Sequence, residues 1–175
     1  LTRAVDVARK VAAGDLSRTP YLVTEWIEGC TFEPLVQRAP LPPDEVVRVG
    51  AALADAVECL HQQDVIHLDI KPGNAILRPD GRVVLIDFGL SHHTRLPDLL
   101  AEEMRRAIGT AQYISPEQVL GVRSDPRSDI FSLGVVLYEL ATGELPFGSP
   151  RPITAMRDRL WLDPRPPRAS ITAFP

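Results

Sequence analysis

The sequence predicts an α+β fold in which helices provide most of the core and the strands form short β-hairpins. Two predicted helices, residues 43–63 and 125–142, are accompanied by short runs of β-branched residues with the length of strands. The chain has 175 residues, of which 45% are hydrophobic and 24% are charged, as is typical of one globular domain.

Strands are predicted wherever β-branched and aromatic side chains cluster. Residues 21–27 form the first such run. Two further runs, 75–77 and 83–86, are separated by Pro-Asp-Gly at 79–81, and Asp-Gly between β-branched runs predicts a hairpin. Residues 89–116 have mixed charge and no clean period, which is typical of a long loop that is functional or mobile.

Both predicted helices have recognisable boundaries. The first, 43–63, repeats apolar residues along one face. The second, 125–142, has Asp125 and Pro126 as its cap and first turn and Gly143 as its stop, and its apolar residues cover every face, which predicts a buried helix. One further short helix is predicted within 153–160.

Composition excludes several classes of function. The formal net charge of −4 argues against nucleic acid as a partner. No apolar run approaches the roughly 20 residues that a membrane span needs, so we expect no membrane segment in this chain. Cys30 and Cys59 lack metal-ligand spacing, and reduced thiols in a cytoplasmic protein are the simpler interpretation.

The first candidate site lies in a loop between the long helix and the hairpin. Asp69, Lys71 and Asn74 place a carboxylate, an ammonium and an amide within six residues. These groups can orient a hydroxyl nucleophile, offset phosphate charge and bind a divalent cation. Taken alone, Asp69 could equally open a turn, and residues 71–74 could form a solvated loop.

The second candidate is Asp87, which follows an apolar run directly and begins Asp-Phe-Gly at 87–89. A carboxylate at a strand end, followed by a glycine that lets the backbone turn, suits a magnesium ligand. A lone Asp-Phe-Gly is better read as a turn. Its place eighteen residues after Asp69, across a hairpin, favours the functional reading.

These residues resemble the protein kinases, specifically the bacterial serine/threonine kinases that are similar to the eukaryotic ones. The resemblance implies ATP and Mg²⁺ as cofactors. It implies that Asp69 is the catalytic base, that Lys71 contacts phosphate, and that Asn74 and Asp87 bind the metal ions.

Three further segments carry the same resemblance. Residues 109–117 resemble the substrate-positioning loop, in which Thr110 would bond near Asp69 and Lys71. Residues 128–134 resemble the start of the family's central helix, in which Asp129 would bond to the catalytic-loop backbone. Residues 21–29 resemble the hinge, and the predicted contacts of adenine are Thr24, Glu25, Ile27 and Ile76.

The resemblance divides the chain into two parts. Residues 1–28 would be a remnant of the small lobe with the hinge, and residues 29–175 an incomplete, mostly helical large lobe. Within the large lobe we expect the following segments: catalytic loop 65–77, metal-binding turn 86–89, activation segment 87–117 and central helix 125–142.

The sequence also departs from the family pattern. No Gly-x-Gly-x-x-Gly loop or Val-Ala-Ile-Lys strand precedes the hinge, and Lys10 lies too near the hinge to serve as the ATP-binding lysine. The arginine that the family pairs with Glu117 is also expected beyond residue 175. We therefore expect a chain truncated at both ends, which by itself transfers no phosphate.

Three functions compete. A serine/threonine protein kinase would transfer the γ-phosphate of ATP to a Ser or Thr hydroxyl of a protein. A truncated or pseudokinase-like module would bind without catalysis, and the intact Asp69, Lys71, Asn74 and Asp87 do not separate it from the first. A small-molecule phosphotransferase is disfavoured by Lys71 and by residues 109–117, a segment that presents a protein chain.

Overall fold

A computed structural model describes residues 10–16, 19–98, 100, 109–149 and 156–167. The predicted α+β class is confirmed. The α-helices are α1 (Glu33–Gln37), α2 (Pro43–Gln62), α3 (Pro116–Val119) and α4 (Arg127–Thr142), with 3-10 helices at Pro72–Asn74 and Arg157–Leu160. The strands are β1 (Lys10–Leu16), β2 (Thr19–Thr24), β3 (Cys30–Thr31), β4 (Val65–Ile66), β5 (Ala75–Leu77), β6 (Val83–Leu85) and β7 (His92–His93).

The strands form three small antiparallel sheets. β1 pairs with β2, β4 pairs with β7, and β3, β5 and β6 form the third sheet in that order. The hairpin predicted around residues 79–81 is confirmed, because Ala75 lies opposite Leu85 in the β5–β6 pair. The strand predicted at 21–27 ends earlier, at Thr24, where Thr24 faces Lys10 of β1 and the described pairing stops.

The core lies where α2 packs against α4 and β6. The amphipathic face of α2 is as predicted, with Val49, Leu53 and Val57 almost fully buried. Val47 is apolar but is 70% exposed, because it points to the opposite side of α2 from Val49. Burial of this face against α4 provides most of the stability of α2.

The central helix differs from its prediction at two points. It begins at Arg127 and not at residue 125, because Asp125 stays outside the helix and accepts a hydrogen bond from the Arg127 amide at 2.9 Å. Its end at Gly143 is confirmed, since Gly143 has the left-handed φ of 74°. It is not buried all round: Ile130 is 54% exposed, because packing against α2 covers one side of α4.

The remaining predictions fall at the end of the chain and on the cysteines. The short helix predicted within 153–160 is a 3-10 helix at Arg157–Leu160, and residues 150–155 lie outside the described part of the structure. Cys30 and Cys59 are free thiols. No helix in the described segments combines the length and hydropathy that crossing a bilayer requires.

We expect Gly29→Ala to lower the free energy of unfolding by more than about 2 kcal/mol, because the new Cβ would clash with the backbone. Gly29 has φ of +147°, and a Cβ there would lie 2.4 Å from the carbonyl oxygen of Leu77 in β5. Urea unfolding measures the change. Gly81→Ala is the matched control, because Gly81 also has a positive φ, of +82°, but a Cβ added there would have no neighbouring atom within 4 Å. It should cost only the left-handed strain of about 1 kcal/mol, and equal losses in the two variants would contradict the clash.

Candidate active site

The loop that carries Asp69 is bonded to a buried carboxylate of the central helix. Asp129 of α4 is fully buried, and its two carboxylate oxygens accept hydrogen bonds at 2.8 Å from the backbone amides of His67 and Leu68. His61 of α2 bonds to the same carboxylate at 2.9 Å. A buried carboxylate needs such partners, and here they fix the loop to both core helices.

The backbone just before Asp69 has an uncommon conformation. Leu68 has a φ of 65°, in the left-handed region that non-glycine residues seldom adopt. The loop is held in that conformation on both sides of the peptide, because the amide of Leu68 donates to Asp129 and its carbonyl accepts from Gln118 of α3 at 2.8 Å. Strain that is held by surrounding bonds is characteristic of functional sites.

Four of the predicted site residues are joined by hydrogen bonds centred on the Asp69 carboxylate. Lys71 Nζ donates to Asp69 Oδ2 at 2.7 Å and to Thr110 Oγ1 at 3.0 Å. Thr110 donates to Asp69 Oδ1 through its hydroxyl at 2.8 Å and its amide at 3.1 Å. Asn74 Nδ2 donates to Asp69 Oδ2 and to the Asp69 carbonyl, both at 3.0 Å.

This network determines the charge state of Asp69. Burial by itself would raise the pKa of Asp69, whose side chain is only 9% exposed, but the hydrogen bonds from Lys71 and Thr110 outweigh burial and hold the pKa below its ordinary value. The carboxylate is therefore ionised at neutral pH and can accept a hydrogen bond from a hydroxyl.

Asn74 connects Asp69 to the turn that carries Asp87. The carbonyl of Asn74 accepts the amide of Ile86 at 3.0 Å, one residue before Asp87, while its side-chain amide reaches Asp69. Because the Asn74 nitrogen faces Asp69, its amide oxygen is the atom that could ligate a cation. Asp87 is exposed and also has a left-handed backbone, with φ of 63°.

All the residues predicted to surround adenine lie in one cavity of about 730 Å³ with Asp87. Its walls come from the segment that follows β2, from β5 and from the Asp-Phe-Gly turn. The cavity is lined by Thr24, Glu25, Trp26, Ile27, Gly29, Thr31, Ile76, Ile86, Asp87, Phe88 and Gly89. Its volume is within the range of ordinary small-molecule sites.

Lys71 and Thr110 line a different cavity, of about 620 Å³. Glu33, Glu139 and Tyr113 contribute to the same cavity. The predicted site residues therefore divide between two cavities: Asp87 and the hinge residues line one, and Lys71 and Thr110 line the other. Asp69 lines neither of these two cavities. Asn74 is buried between them and bonds toward both.

The residues suit Mg²⁺ better than a transition metal. Within the described segments no three His, Cys, Asp or Glu side chains cluster as ligands for a metal ion. A Mg²⁺ bound to a nucleotide needs few protein ligands, because phosphate oxygens and water supply the others. The Asp87 carboxylate and the Asn74 amide are oxygen donors of the required kind.

Two supporting residues were not identified from the sequence. Gln118 holds the Leu68 carbonyl and completes a capping box with Ser115, and His61 bonds Asp129. The Ser-x-x-Gln spacing at 115–118 could have indicated the capping box. Nothing local could have indicated the contact of Gln118 with Leu68, which lies fifty residues away. His67 packs beside Phe88 with ring centroids 5.0 Å apart, and burial lowers the pKa of His67.

A helical lobe that carries this loop beside an Asp-Phe-Gly turn has the architecture of a protein kinase large lobe. The family model described as "Protein kinase domain" matches residues 3–161. The chain therefore belongs to the protein kinase family.

Similar curated proteins are named as protein kinases. Serine/threonine-protein kinase PknB of Mycobacterium leprae is 38% identical over 160 residues, which is 90% of this chain and 25% of the relative. Serine/threonine-protein kinase PknL of Mycobacterium tuberculosis is 40% identical over 158 residues, or 90% of this chain and 39% of the relative. The chain thus spans between a quarter and two fifths of the length of these relatives.

Proposed function

We propose that this chain provides the large-lobe half of a serine/threonine protein kinase site, which transfers the γ-phosphate of ATP to a Ser or Thr hydroxyl of a protein substrate. Membership of the family makes a kinase the leading candidate. The observation that carries the proposal is the network in which Lys71 and Thr110, which both line an open groove, hold the ionised carboxylate of Asp69.

The roles follow from the geometry of that network. A hydroxyl bound in the groove beside Lys71 and Thr110 would be close to Asp69, the carboxylate that both residues bond, and Asp69 would accept its proton or orient it for attack. Lys71, bonded to both Asp69 and Thr110, carries the positive charge that offsets charge on the transferred phosphoryl group. Thr110 fixes the distance between the substrate loop and the carboxylate, so that catalysis consists largely of positioning.

ATP and Mg²⁺ belong to the cavity that Asp87 lines. We assign the cavity of about 730 Å³ to the nucleotide, with Thr24, Glu25, Ile27 and Ile76 around adenine. Asp87 and Asn74 would hold Mg²⁺, which when bound neutralises and orients the terminal phosphates. Because ATP is consumed, we place the activity in the cytoplasm.

The division of the chain follows the same proposal. Residues 1–28 correspond to the last part of a small lobe and the hinge, and residues 29–175 to part of the large lobe. Residues 65–77 are the catalytic loop, 86–89 the metal-binding turn and 87–117 the activation segment. A substrate with a protein backbone suits the groove, because residues of the 109–117 segment line it.

Calorimetric titration with ATP, with and without Mg²⁺, tests the nucleotide half of the proposal. We expect Asp87→Asn to weaken Mg·ATP binding by at least roughly 10- to 100-fold. A loss of that size is typical even for residues that only hydrogen-bond a metal ligand, and Asp87 would bind the ion directly. Affinity for ATP measured without Mg²⁺ should change little. Asp80→Asn is the control, because Asp80 is an exposed carboxylate in the β5–β6 turn that bonds Arg82.

Two outcomes would contradict the proposal. Equal Mg·ATP affinity in the Asp87→Asn and wild-type proteins would remove Asp87 from the metal site. Mg·ATP binding without any phosphoryl transfer by the intact protein that contains this chain would favour the non-catalytic binding module.

A further inference from the structure

Arg159 is a buried arginine whose hydrogen bonds go to main-chain carbonyls of the substrate loop. It lies in the 3-10 helix Arg157–Leu160 and is only 5% exposed. Its Nη1 donates to the carbonyl of Ile114 at 2.7 Å and its Nη2 to that of Gln112 at 2.8 Å. The guanidinium carbon lies 5.4 Å from the centroid of the Phe147 ring. A buried charge held by so few groups is costly, which calls for a functional explanation.

The carbonyl between these two is held as well. Ser132 of α4 donates its hydroxyl to the Tyr113 carbonyl at 2.8 Å. Three consecutive carbonyls, of Gln112, Tyr113 and Ile114, are therefore fixed by side chains from two other elements. Backbone at 112–114 is irregular, so these side-chain bonds replace the ladder that a helix or strand would provide.

The fixed turn is bonded directly to Thr110. The amides of Tyr113 and Ile114 both donate to the Thr110 carbonyl, at 2.9 and 3.1 Å. Thr110 in turn donates its amide and hydroxyl to Asp69 Oδ1. A continuous path of hydrogen bonds thus runs from the Arg159 guanidinium, through one turn of backbone, to the carboxylate at the centre of the site.

Only an arginine suits this position. The two carbonyls are separated by one residue, and the planar guanidinium presents two donors in a fixed fork that reaches both. A lysine ammonium is a point donor on a flexible stem and would satisfy one carbonyl at a time. The guanidinium carbon also lies over the ring of Phe147, which itself stacks on Phe131 of α4 with ring centroids 6.0 Å apart.

We propose that Arg159 is a positioning residue for phosphoryl transfer, which holds the 112–114 turn so that Thr110 stays bonded to Asp69. This inference rests on the proposed function for its kinetic consequence. The mechanical part, that Arg159 restrains Thr110, does not depend on catalysis.

Hydrogen exchange tests the mechanical part in the intact protein. We expect Arg159→Met to speed exchange of the Thr110, Tyr113 and Ile114 amides roughly tenfold or more, the factor that corresponds to losing about one hydrogen bond. Exchange within α2 should be unchanged. Arg157→Met is the matched control, because Arg157 is an exposed arginine in the same 3-10 helix.

Steady-state kinetics test the consequence. We expect Arg159→Met to lower kcat by roughly 10- to 100-fold, the size of effect that a small displacement of a reacting group produces. The KM for ATP should stay within about twofold, because neither Arg159 nor residues 110–114 line the hinge cavity. Arg159→Lys should keep the fold and recover the activity only in part, since it restores the charge without the fork.

The outcomes separate the two proposals. Unchanged exchange at residues 110–114 in Arg159→Met, or faster exchange spread equally over α2 and α4, would overturn the positioning role. Full activity in Arg159→Lys would also overturn it, because charge without the fork would then suffice. A third outcome is that Arg159→Met speeds exchange only at residues 110–114 while the wild-type protein transfers no phosphate. That combination would uphold the restraint of Thr110 by Arg159 and refute the proposed function instead.

Discussion

Replacement of Asp69 by asparagine should lower the rate of phosphoryl transfer by about 10²- to 10⁴-fold, the contribution of a positioned general base. Asparagine has nearly the same shape, and its oxygen can still accept the bond from Thr110. What it lacks is the negative charge that orients the nucleophilic hydroxyl and pairs with Lys71 at 2.7 Å. The measurement is transfer from labelled ATP to a protein substrate by the intact protein that contains this chain.

The same variant should retain its fold and its nucleotide. Because Asp69 lies outside the cavity assigned to ATP, the affinity of Asp69→Asn for Mg·ATP should stay close to that of the wild type. Asp64→Asn is the control, since Asp64 lies directly before β4 and five residues before Asp69. Asp64 also has a left-handed backbone, with φ of 60°, and it pairs with the exposed Arg95 at 2.7 Å. Transfer by Asp69→Asn at a rate near that of Asp64→Asn would exclude Asp69 as the base.

The second large effect concerns stability. We expect Asp129→Ala to lower the free energy of unfolding by roughly 3–5 kcal/mol, the cost of removing one partner from a buried charged cluster. Truncation leaves the buried amides of His67 and Leu68 without their acceptor and deprives His61 of its partner. Each buried donor left unsatisfied pays its own desolvation cost. Urea unfolding monitored by circular dichroism measures the difference.

Asp125→Ala provides the comparison at the entry of the same helix. Asp125 bonds Arg127 at the surface, so its removal should produce a far smaller loss of stability. Similar losses from Asp129→Ala and Asp125→Ala would show that the contacts of Asp129 with the catalytic loop contribute little. If Asp129→Ala is too unstable to purify, Asp129→Asn keeps one acceptor oxygen and should give an intermediate value.

Some parts of the fold could be predicted because their physical cause is local. The face of α2 that carries Val49 and Leu53 follows from helical periodicity, and Gly143 ends α4 because it adopts a left-handed backbone. The β5–β6 hairpin follows from the turn at 79–81. Element boundaries were less accurate: β2 ends at Thr24 and α4 begins at Arg127, since pairing partners and capping contacts decide these positions.

The candidate site divides in the same way. Asp69, Lys71 and Asn74 lie within six residues, so their chemistry could be read from the chain. The hydrogen bonds of Asp69 and Lys71 with Thr110 and the support of Leu68 by Gln118 join segments about forty to fifty residues apart. Spacing in a sequence carries no information on such distances, so these contacts had to come from resemblance or from the structure.

The sequence by itself determined the order of the chemical groups and the family to which the chain belongs, because residue types at fixed spacing are local properties of the chain. Only the tertiary structure decided that Lys71 and Thr110 face one cavity while Asp87 faces another. It also decided that Arg159, one charged residue among many in the sequence, is buried against the substrate loop. Burial depends on how distant elements pack, and packing is a property of the whole fold.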